Sequence, residues 1–318
     1  VKSLAADPLT AGIAGATWSS GGSLNTARLQ GGAAGTQTAG LVFGGNPTTG
    51  VTEEYNGSSW SEQNDMNTTG ANFLGCGTQT AALRSGGYNG SYLNVTEEYG
   101  GTSWTTGNTI PVNIDSHTGS FGIQTAALAV SGNQSPGPST IVGVYAYDGT
   151  NWTTGTSVNS AKEAAGGFGT TTSGLITGNN QGTEVWNGSA WTEVAEKNTK
   201  RLLYGGASGT SGSDGIVIGG TPPNTGKTEF WDGTSWTELA DMSTARTTMG
   251  VGNSSINALG AGGGPSATAA TEEFTAATIT DTIKNEGQVY YNSTAGTMNI
   301  TAVVFGTATW SSGGNLNT

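Results

Sequence analysis

Short apolar runs and alternating segments recur along the chain in a fixed order. The runs follow a Gly-rich turn, as in GTQTAGLVFGG (35–45), GTQTAALRSGG (77–87), GIQTAALAVSG (122–132) and GIVIGG (215–220). An apolar run of this length is consistent with a strand buried on both faces. Alternating segments such as VTEEYNG (51–57) and TEFWDG (228–233) follow the runs. Alternation is typical of a half-buried strand. We name these predicted strands b and c.

A tryptophan recurs every 39 to 48 residues, and in five cases it follows strand c after a short Gly-containing turn. The six residues are Trp18, Trp60, Trp104, Trp152, Trp191 and Trp236. Asn-Gly and Asp-Gly turns favour tight hairpins, so the tryptophan marks a strand d paired with strand c. A polar link such as LNTAR (24–28) leads into another Gly-rich strand, a. Four short strands with this period indicate the blades of a β-propeller.

The order of the strands predicts how the ring closes. The chain begins with the d strand of Trp18, passes through five complete a-b-c-d sets, and ends with a-b-c near Phe274. The last blade lacks its own d strand, which the N-terminal strand can supply. Such closure leaves fewer unpaired sheet edges. We therefore predict six blades over residues 16–276.

Composition supports an all-β fold and excludes two classes of partner. The 318 residues include 55 Gly and only 10 Lys plus Arg, with a net charge of −12. Many glycines indicate many tight turns between short elements. Without a basic patch, we expect no binding to nucleic acid or to an anionic membrane surface. Since no apolar run approaches the roughly 20 residues of a membrane-spanning helix, we expect no membrane insertion.

Two segments near the ends of the sequence are almost identical. ATWSSGGSLNT (16–26) and ATWSSGGNLNT (308–318) are identical at ten of eleven positions. We interpret 1–15 as an N-terminal connector, 277–306 as a connector with a β-hairpin, and 307–318 as the start of a second propeller or an exchanged strand, favouring the first. Because the sequence does not begin with Met, we expect a processed product or part of a longer chain with propellers in tandem.

The repeated phrases resemble those of kelch-type β-propellers. The family has a Gly-Gly after strand b, an aromatic residue on strand c and a Trp on strand d. These correspond to Gly44-Gly45, Tyr55 and Trp60; to Gly86-Gly87, Tyr99 and Trp104; and to Gly219-Gly220, Trp231 and Trp236. Around Ser131-Gly132 and Thr177-Gly178 only one glycine remains. The resemblance implies an all-β, six-bladed kelch-like propeller closed by the N-terminal strand, with a short C-terminal β extension.

The wording of the repeats, with TEEYNGSSW, NTAR and GTQTAAL at low charge, is similar to repetitive virion proteins of marine bacteriophages. This resemblance implies a location on the virion surface, extracellular after release, with other virion subunits as partners. Formation of an oligomer stays open.

Acidic residues recur at one position of strand c. They are Glu53, Glu97, Glu184, Glu229 and Glu272. A repeated position indicates a repeated structural role, so we expect these carboxylates to accept hydrogen bonds from a neighbouring strand or from Arg28, Arg201 and Arg246. An acid–base pair would require one blade to differ from the others.

Other reactive residues are few. His117 is the sole histidine and Cys76 the sole cysteine, so neither a His/Cys metal site nor an internal disulfide can form within the chain. We expect Cys76 to be a buried thiol, and we predict no cofactor and no metal. An oxygen-only calcium site at Asp214 or Asp232 stays open, although neither has the spacing of a known calcium loop.

The b–c loops vary on an otherwise uniform scaffold, and variable loops commonly carry recognition. Aromatic and amide side chains suited to sugars lie in two of them: Tyr88, Asn89, Tyr92, Asn94, Asn133 and Gln134. The alternative is that these are solvated loops without a ligand.

We therefore predict a non-enzymatic phage virion protein, a tail or head fibre or a decoration module, that presents loops to other virion subunits or to host-surface glycans. The alternative is a secreted carbohydrate-binding propeller. A propeller enzyme ranks third.

Overall fold

The computed structural model describes residues 13–115, 119–134, 139–178, 182–204, 206–278, 289–292 and 297–300. His117, residues 1–12 and the repeated phrase at 307–318 lie outside these described residues. The predictions made for them therefore stay predictions.

Four-stranded antiparallel sheets repeat six times, and in each the strands are ordered a-b-c-d. We number these blades 1 to 6 in the chain order of their a strands. The a strands are β2 (Gly32–Thr36), β6 (Leu74–Thr78), β11 (Gly119–Ile123), β17 (Gly166–Thr170), β21 (Ala207–Ser211) and β25 (Met249–Val251). The b strands are β3 (Ala39–Phe43), β7 (Ala81–Ser85), β12 (Ala126–Val130), β18 (Ser173–Thr177), β22 (Asp214–Gly220) and β26 (Asn257–Ala261). The c strands are β4 (Thr52–Tyr55), β8 (Thr96–Tyr99), β15 (Val144–Tyr147), β19 (Thr183–Trp186), β23 (Thr225–Trp231) and β27 (Thr271–Thr278). The d strands are β1 (Ile13–Ser20), β5 (Trp60–Gln63), β9 (Trp104–Thr106), β16 (Trp152–Thr154), β20 (Trp191–Val194) and β24 (Trp236–Glu238).

The N-terminal strand closes the ring. β1 pairs antiparallel with β27, and Trp18 lies opposite Phe274. Strands a of neighbouring blades contact one another all the way round, from β2 through β25 and back to β2. The fold is therefore a six-bladed β-propeller, and the predicted closure is confirmed. β1 begins at Ile13, three residues before the predicted limit, and its register shifts between Ala14 and Thr17.

Tryptophan side chains join each blade to the preceding one. In every blade the strand-d Trp packs on the aromatic residue of strand c, with ring centroids 4.9 to 5.3 Å apart. The indole N–H of Trp104 donates to Thr52 Oγ1 of the preceding blade at 2.9 Å. At the closure, the indole N–H of Trp18 donates to Thr228 Oγ1 at 3.1 Å. The closing strand thus repeats the contact used inside the ring.

Two smaller sheets complete the described structure. β10 (Ile114–Asp115), β13 (Asn133–Gln134) and β14 (Ser139–Thr140) form a sheet among the loops of blades 2 and 3. β28 (Val289–Asn292) and β29 (Thr297–Ile300) form the hairpin of the C-terminal extension. The ring belongs to one compact unit, Gly12–Thr278, within which the predicted limits 16–276 fall.

Candidate binding face and central channel

The b–c loops and the d–a links pair with each other on one face of the ring. Backbone bridges join Asn46 to Leu29, Tyr88 to Ala71, and Thr221 to Leu202. In each bridge the first residue comes from a b–c loop and the second from a d–a link. We call this side of the propeller the loop face.

Two tyrosines lie together on the loop face of blade 2. The rings of Tyr88 and Tyr92 meet edge to face, with centroids 5.7 Å apart. A backbone bridge between these residues closes the loop, so the pair is held in place. Tyr88 is 39% exposed, Tyr92 is half-buried and Asn89 is exposed. Aromatic rings of this kind offer flat apolar surfaces with polar hydroxyl groups.

The other three predicted loop residues are partly or fully buried and take part in hydrogen bonds or strand pairing within the scaffold. Asn94 is half-buried, and its carbonyl oxygen accepts the N–H of Ile110 at 3.1 Å. Asn133 is 9% exposed, and its side-chain oxygen accepts a hydrogen bond from Thr140 at 3.1 Å. Gln134 is half-buried and lies opposite Ile114, which also donates its N–H to Leu93 of the blade 2 loop. The structure therefore presents Tyr88 and Asn89 most openly, and a binding role for all six stays a prediction.

A channel of about 280 Å³ is lined by residues from strand a of every blade. It extends from Gln30, Asn72 and Tyr204 at the loop face to the last residues of strands a, such as Thr78 and Ile123, beside the a–b turns at the other end. Among the described lining residues, mostly Gly, Ala, Ser and Thr, no side chain carries a charge. Since strand a is an edge strand, one row of its backbone N–H and C=O groups is unpaired within its own sheet.

The mouth of the channel has a fixed backbone. Gln30, Asn72 and Tyr204 have φ angles of 58°, 58° and 53°, in the left-handed region that non-glycine residues seldom adopt. The N–H of Asn72 donates to the carbonyl oxygen of Gln30 at 2.7 Å, and this hydrogen bond connects blades 1 and 2 at the channel mouth. Asn72 directly follows Ala71, the bridge partner of Tyr88, so the tyrosine pair adjoins the mouth.

Sequence reasoning located the loops but missed this channel. The Gly- and Ala-rich strand-a phrases, such as GAAG (32–35) and LGCG (74–77), carry a signal for it. Small residues there leave space on the axis of a ring that large residues would fill.

The recurring strand-c carboxylates are buried in ion pairs. The pairs are Glu53 with Arg28, Glu97 with Arg84, Glu184 with Lys162, Glu229 with Arg201, and Glu272 with Arg246. Glu53 also accepts the N–H groups of Asn25 and Thr26 at 2.7 and 3.1 Å. The carboxylate therefore joins the d–a link to strand c, which confirms the structural role expected from its repetition.

For two of these carboxylates, Glu184 and Glu272, the surroundings favour the charged form. Burial of Glu184 raises its pKa, but the Lys162 ammonium at 2.6 Å and the N–H of Asn159 at 2.8 Å outweigh this effect, so the pKa is lowered. Glu272 behaves in the same way: burial is outweighed by Ser243 and Arg246. With their oxygens engaged, these groups serve as structural acceptors. Blade 3 has Tyr145 at the equivalent position, opposite Ala129.

Two of the five cations were missed in the sequence. Lys162 follows NSA as Arg28 follows NTA, so alignment of the links alone would have found it. Arg84 lies on strand b, where blade 1 has Val42, and no repeat pattern pointed to it.

The isolated thiol matches its predicted environment. Cys76 is 6% exposed beside the channel, and burial raises its pKa to about 12. Within the described part of the chain, no group of three His, Cys, Asp or Glu side chains could hold a metal ion. The same residues include no helix long and apolar enough to cross a membrane.

Comparisons with known proteins identify the fold alone. No protein-family model and no curated protein sequence matches the chain. A solved structure titled "Structure of YjhT" is similar to it, with a TM-score of 0.65 and 11% sequence identity, covering 81% of this chain and 99% of that chain. At this identity the likeness supports the β-propeller architecture and carries no function with it.

Proposed function

We propose that the chain is a non-enzymatic structural and adhesion protein of a phage virion, which binds host-surface glycans or neighbouring subunits through its loop face. The observation that carries the binding role is the Tyr88–Tyr92 pair, with Tyr88 exposed, beside the mouth of a channel whose described lining residues carry no charge. The virion location rests on the similarity of the repeats to virion proteins.

The non-enzymatic role is supported by the use made of the polar groups. Five recurring carboxylates are buried against cations. A general acid or base must instead reach its substrate. The scaffold is uniform, and its variable loops offer the differences on which recognition depends.

The first experiment tests the location. Mass spectrometry of purified phage particles should detect this chain in many copies that stay with the particles through a density gradient. Finding the chain only in the particle-free supernatant would contradict a virion role.

The second experiment tests the loop face. Binding of the purified protein to immobilised glycans should fall at least tenfold in Tyr88→Ala and in Tyr92→Ala, because stacking surface is lost. Ile123→Ala is a matched control: Ile123 is 54% exposed, but it is the last residue of β11, beside an a–b turn at the other end of the channel. Equal losses in all three variants would argue against a specific site.

A secreted carbohydrate-binding propeller is the second candidate, favoured by the same tyrosine pair. It would bind glycans through Tyr88 and Tyr92 while being absent from particles. The two experiments together therefore separate the candidates.

A further inference from the structure

We infer that the channel mouth receives the terminal sugar of a neutral glycan end-on, while Tyr88 and Tyr92 hold the next unit. This inference rests on the loop-face function proposed above and specifies its ligand class.

The dimensions of the channel favour one sugar unit. Its volume of about 280 Å³ is at the lower limit of sites for drug-sized ligands, roughly 300 Å³. A chain end can enter this space, and the rest of the glycan must continue across the loop face. Tyr88 lies close to the mouth on this face, because its bridge partner Ala71 directly precedes Asn72.

The chemistry at the mouth matches hydroxyl groups. Gln30 and Asn72 each provide an amide that both donates and accepts, and Tyr204 provides a phenol. All three are half-buried and line the channel. Sugar hydroxyls have the same dual character, so uncharged amides and a phenol can satisfy them.

The backbone positions these groups before a ligand arrives. Gln30 and Asn72 are linked through the 2.7 Å hydrogen bond between their main chains. The N–H of Tyr204 donates to the carbonyl oxygen of Ala164, the left-handed residue of the preceding blade, at 3.2 Å. A site ordered in advance avoids part of the entropic cost of binding.

The distribution of charge selects against anionic sugars. Six of the eight described cations pair with carboxylates: five of these pairs are buried, and Lys227 pairs with Glu238 at 2.5 Å. Of the other two, Lys197 is buried, and Lys200 is exposed in the d–a link but does not line the channel. No described residue that lines the channel offers a positive charge, and the chain carries a net charge of −12. A sialylated, sulfated or phosphorylated terminus would therefore lose its hydration without gaining a cation.

The experiment compares paired probes. Fluorescent neutral oligosaccharides that bind the wild-type protein are each tested beside the same oligosaccharide capped with sialic acid at its terminal unit. We expect the cap to weaken binding at least tenfold. Gln30→Gly and Tyr204→Gly should also weaken the neutral probe at least tenfold, since glycine tolerates the left-handed backbone and only the side chain is lost.

Ala164→Gly is the matched control, because Ala164 has a left-handed φ of 45° at the equivalent place in blade 4 but no polar side chain. It should bind as the wild type does. Tyr204→Phe, which keeps the ring, provides a second test if Tyr204→Gly does not fold, as judged by circular dichroism. Equal binding of capped and uncapped probes, or unchanged binding in the Gln30 and Tyr204 variants while Tyr88→Ala binds weakly, would overturn the channel site and leave the loop-face function standing. Absence of glycan binding by the wild type would overturn glycan recognition on the loop face itself.

Discussion

At the scale of single residues, Lys197 is a buried amine in a place that other blades fill with apolar side chains. The equivalent residues in the first half of the d–a link are Leu24, Met66, Val158 and Met242. Lys197 is 1% exposed, and its ammonium group contacts the carbonyl oxygen of Gly178 and lies 3.4 Å from Thr177 Oγ1. Burial, followed by the nearby Arg201, lowers its pKa to about 7, although Glu229 and Glu196 act in the opposite direction. The lowered pKa therefore means that the folded protein disfavours the charged form of Lys197.

Replacement by an apolar side chain should relieve that cost in a pH-dependent way. Between pH 7 and the ordinary pKa of 10.5, the unfolded chain holds a proton that the folded chain lacks, so wild-type stability rises with pH. The slope is at most about 1.4 kcal/mol per pH unit. Lys197→Met should therefore be more stable than wild type at pH 6, by at most about 5 kcal/mol, with an advantage that shrinks towards pH 9.5. Urea unfolding of both proteins across this range measures the difference, and parallel profiles would contradict the assignment.

At the scale of the blade, the same ion pair is built in two ways. Blade 1 takes its cation from the d–a link, at Arg28, and has Val42 on strand b. Blade 2 has Gly70 in the link and takes its cation from strand b, at Arg84. The cation on strand b does not reproduce every hydrogen bond of the cation in the link. Arg84 Nε is buried without a hydrogen-bond partner, whereas Arg28 Nε donates to a carbonyl oxygen at 3.2 Å.

Placing a cation in the d–a link of blade 2 should restore part of the stability that is lost when the cation on strand b is removed. Arg84→Val leaves Glu97 buried without its cation, which we expect to cost about 3 to 5 kcal/mol. Adding Gly70→Arg should recover part of this loss. Recovery is partial because a Cβ at Gly70 would lie 2.9 Å from Phe73, whose ring must shift. A double-mutant cycle from urea unfolding measures the coupling, with Gly70→Ala as the control for the added Cβ. If the losses in the free energy of unfolding caused by Arg84→Val and Gly70→Arg simply add, a cation in the link cannot replace the one on strand b.

These blades also show how far the sequence predicts the structure. Period, alternation and turn residues identify strands b, c and d, because the same local rules apply in every repeat. The partners of Glu53, Glu229 and Glu272 follow from the repeated NTAR-like links. Arg84 does not follow, since only the three-dimensional register brings strand b to the vacant position at Gly70. The channel mouth is harder still to predict from the sequence, because it depends on the left-handed backbone of non-glycine residues such as Gln30 and on the diameter of the closed ring.

At the scale of the whole molecule, one segment makes the contacts that close the ring. Trp18 packs on Phe274 of blade 6 and donates to Thr228 of blade 5. Asn25, at the far end of the same segment, donates to Glu53 of blade 1. The segment at 308–318 repeats every one of these contributing residues and differs only at the position of Ser23, which is exposed. The repeat therefore retains these closing side chains, and its assignment as the start of a second propeller or an exchanged strand stays a prediction.

Covalent closure of the ring should stabilise it more than the same link inside a blade. Thr17 and Thr275 are exposed cross-strand partners 258 residues apart, and Ala146 and Thr153 are cross-strand partners seven residues apart in blade 3. A disulfide restricts the unfolded chain more when it closes a longer loop, by about 5 kcal/mol against about 2 kcal/mol for these spans. We expect the rise in melting temperature on oxidation to be larger for Thr17→Cys with Thr275→Cys than for Ala146→Cys with Thr153→Cys. Cys76 should not interfere, because its thiol is buried with a pKa raised to about 12. Failure of the first pair to oxidise in the folded protein would contradict the closure by β1, and an equal rise for both pairs would show that the ring does not depend on this strand for its cooperativity.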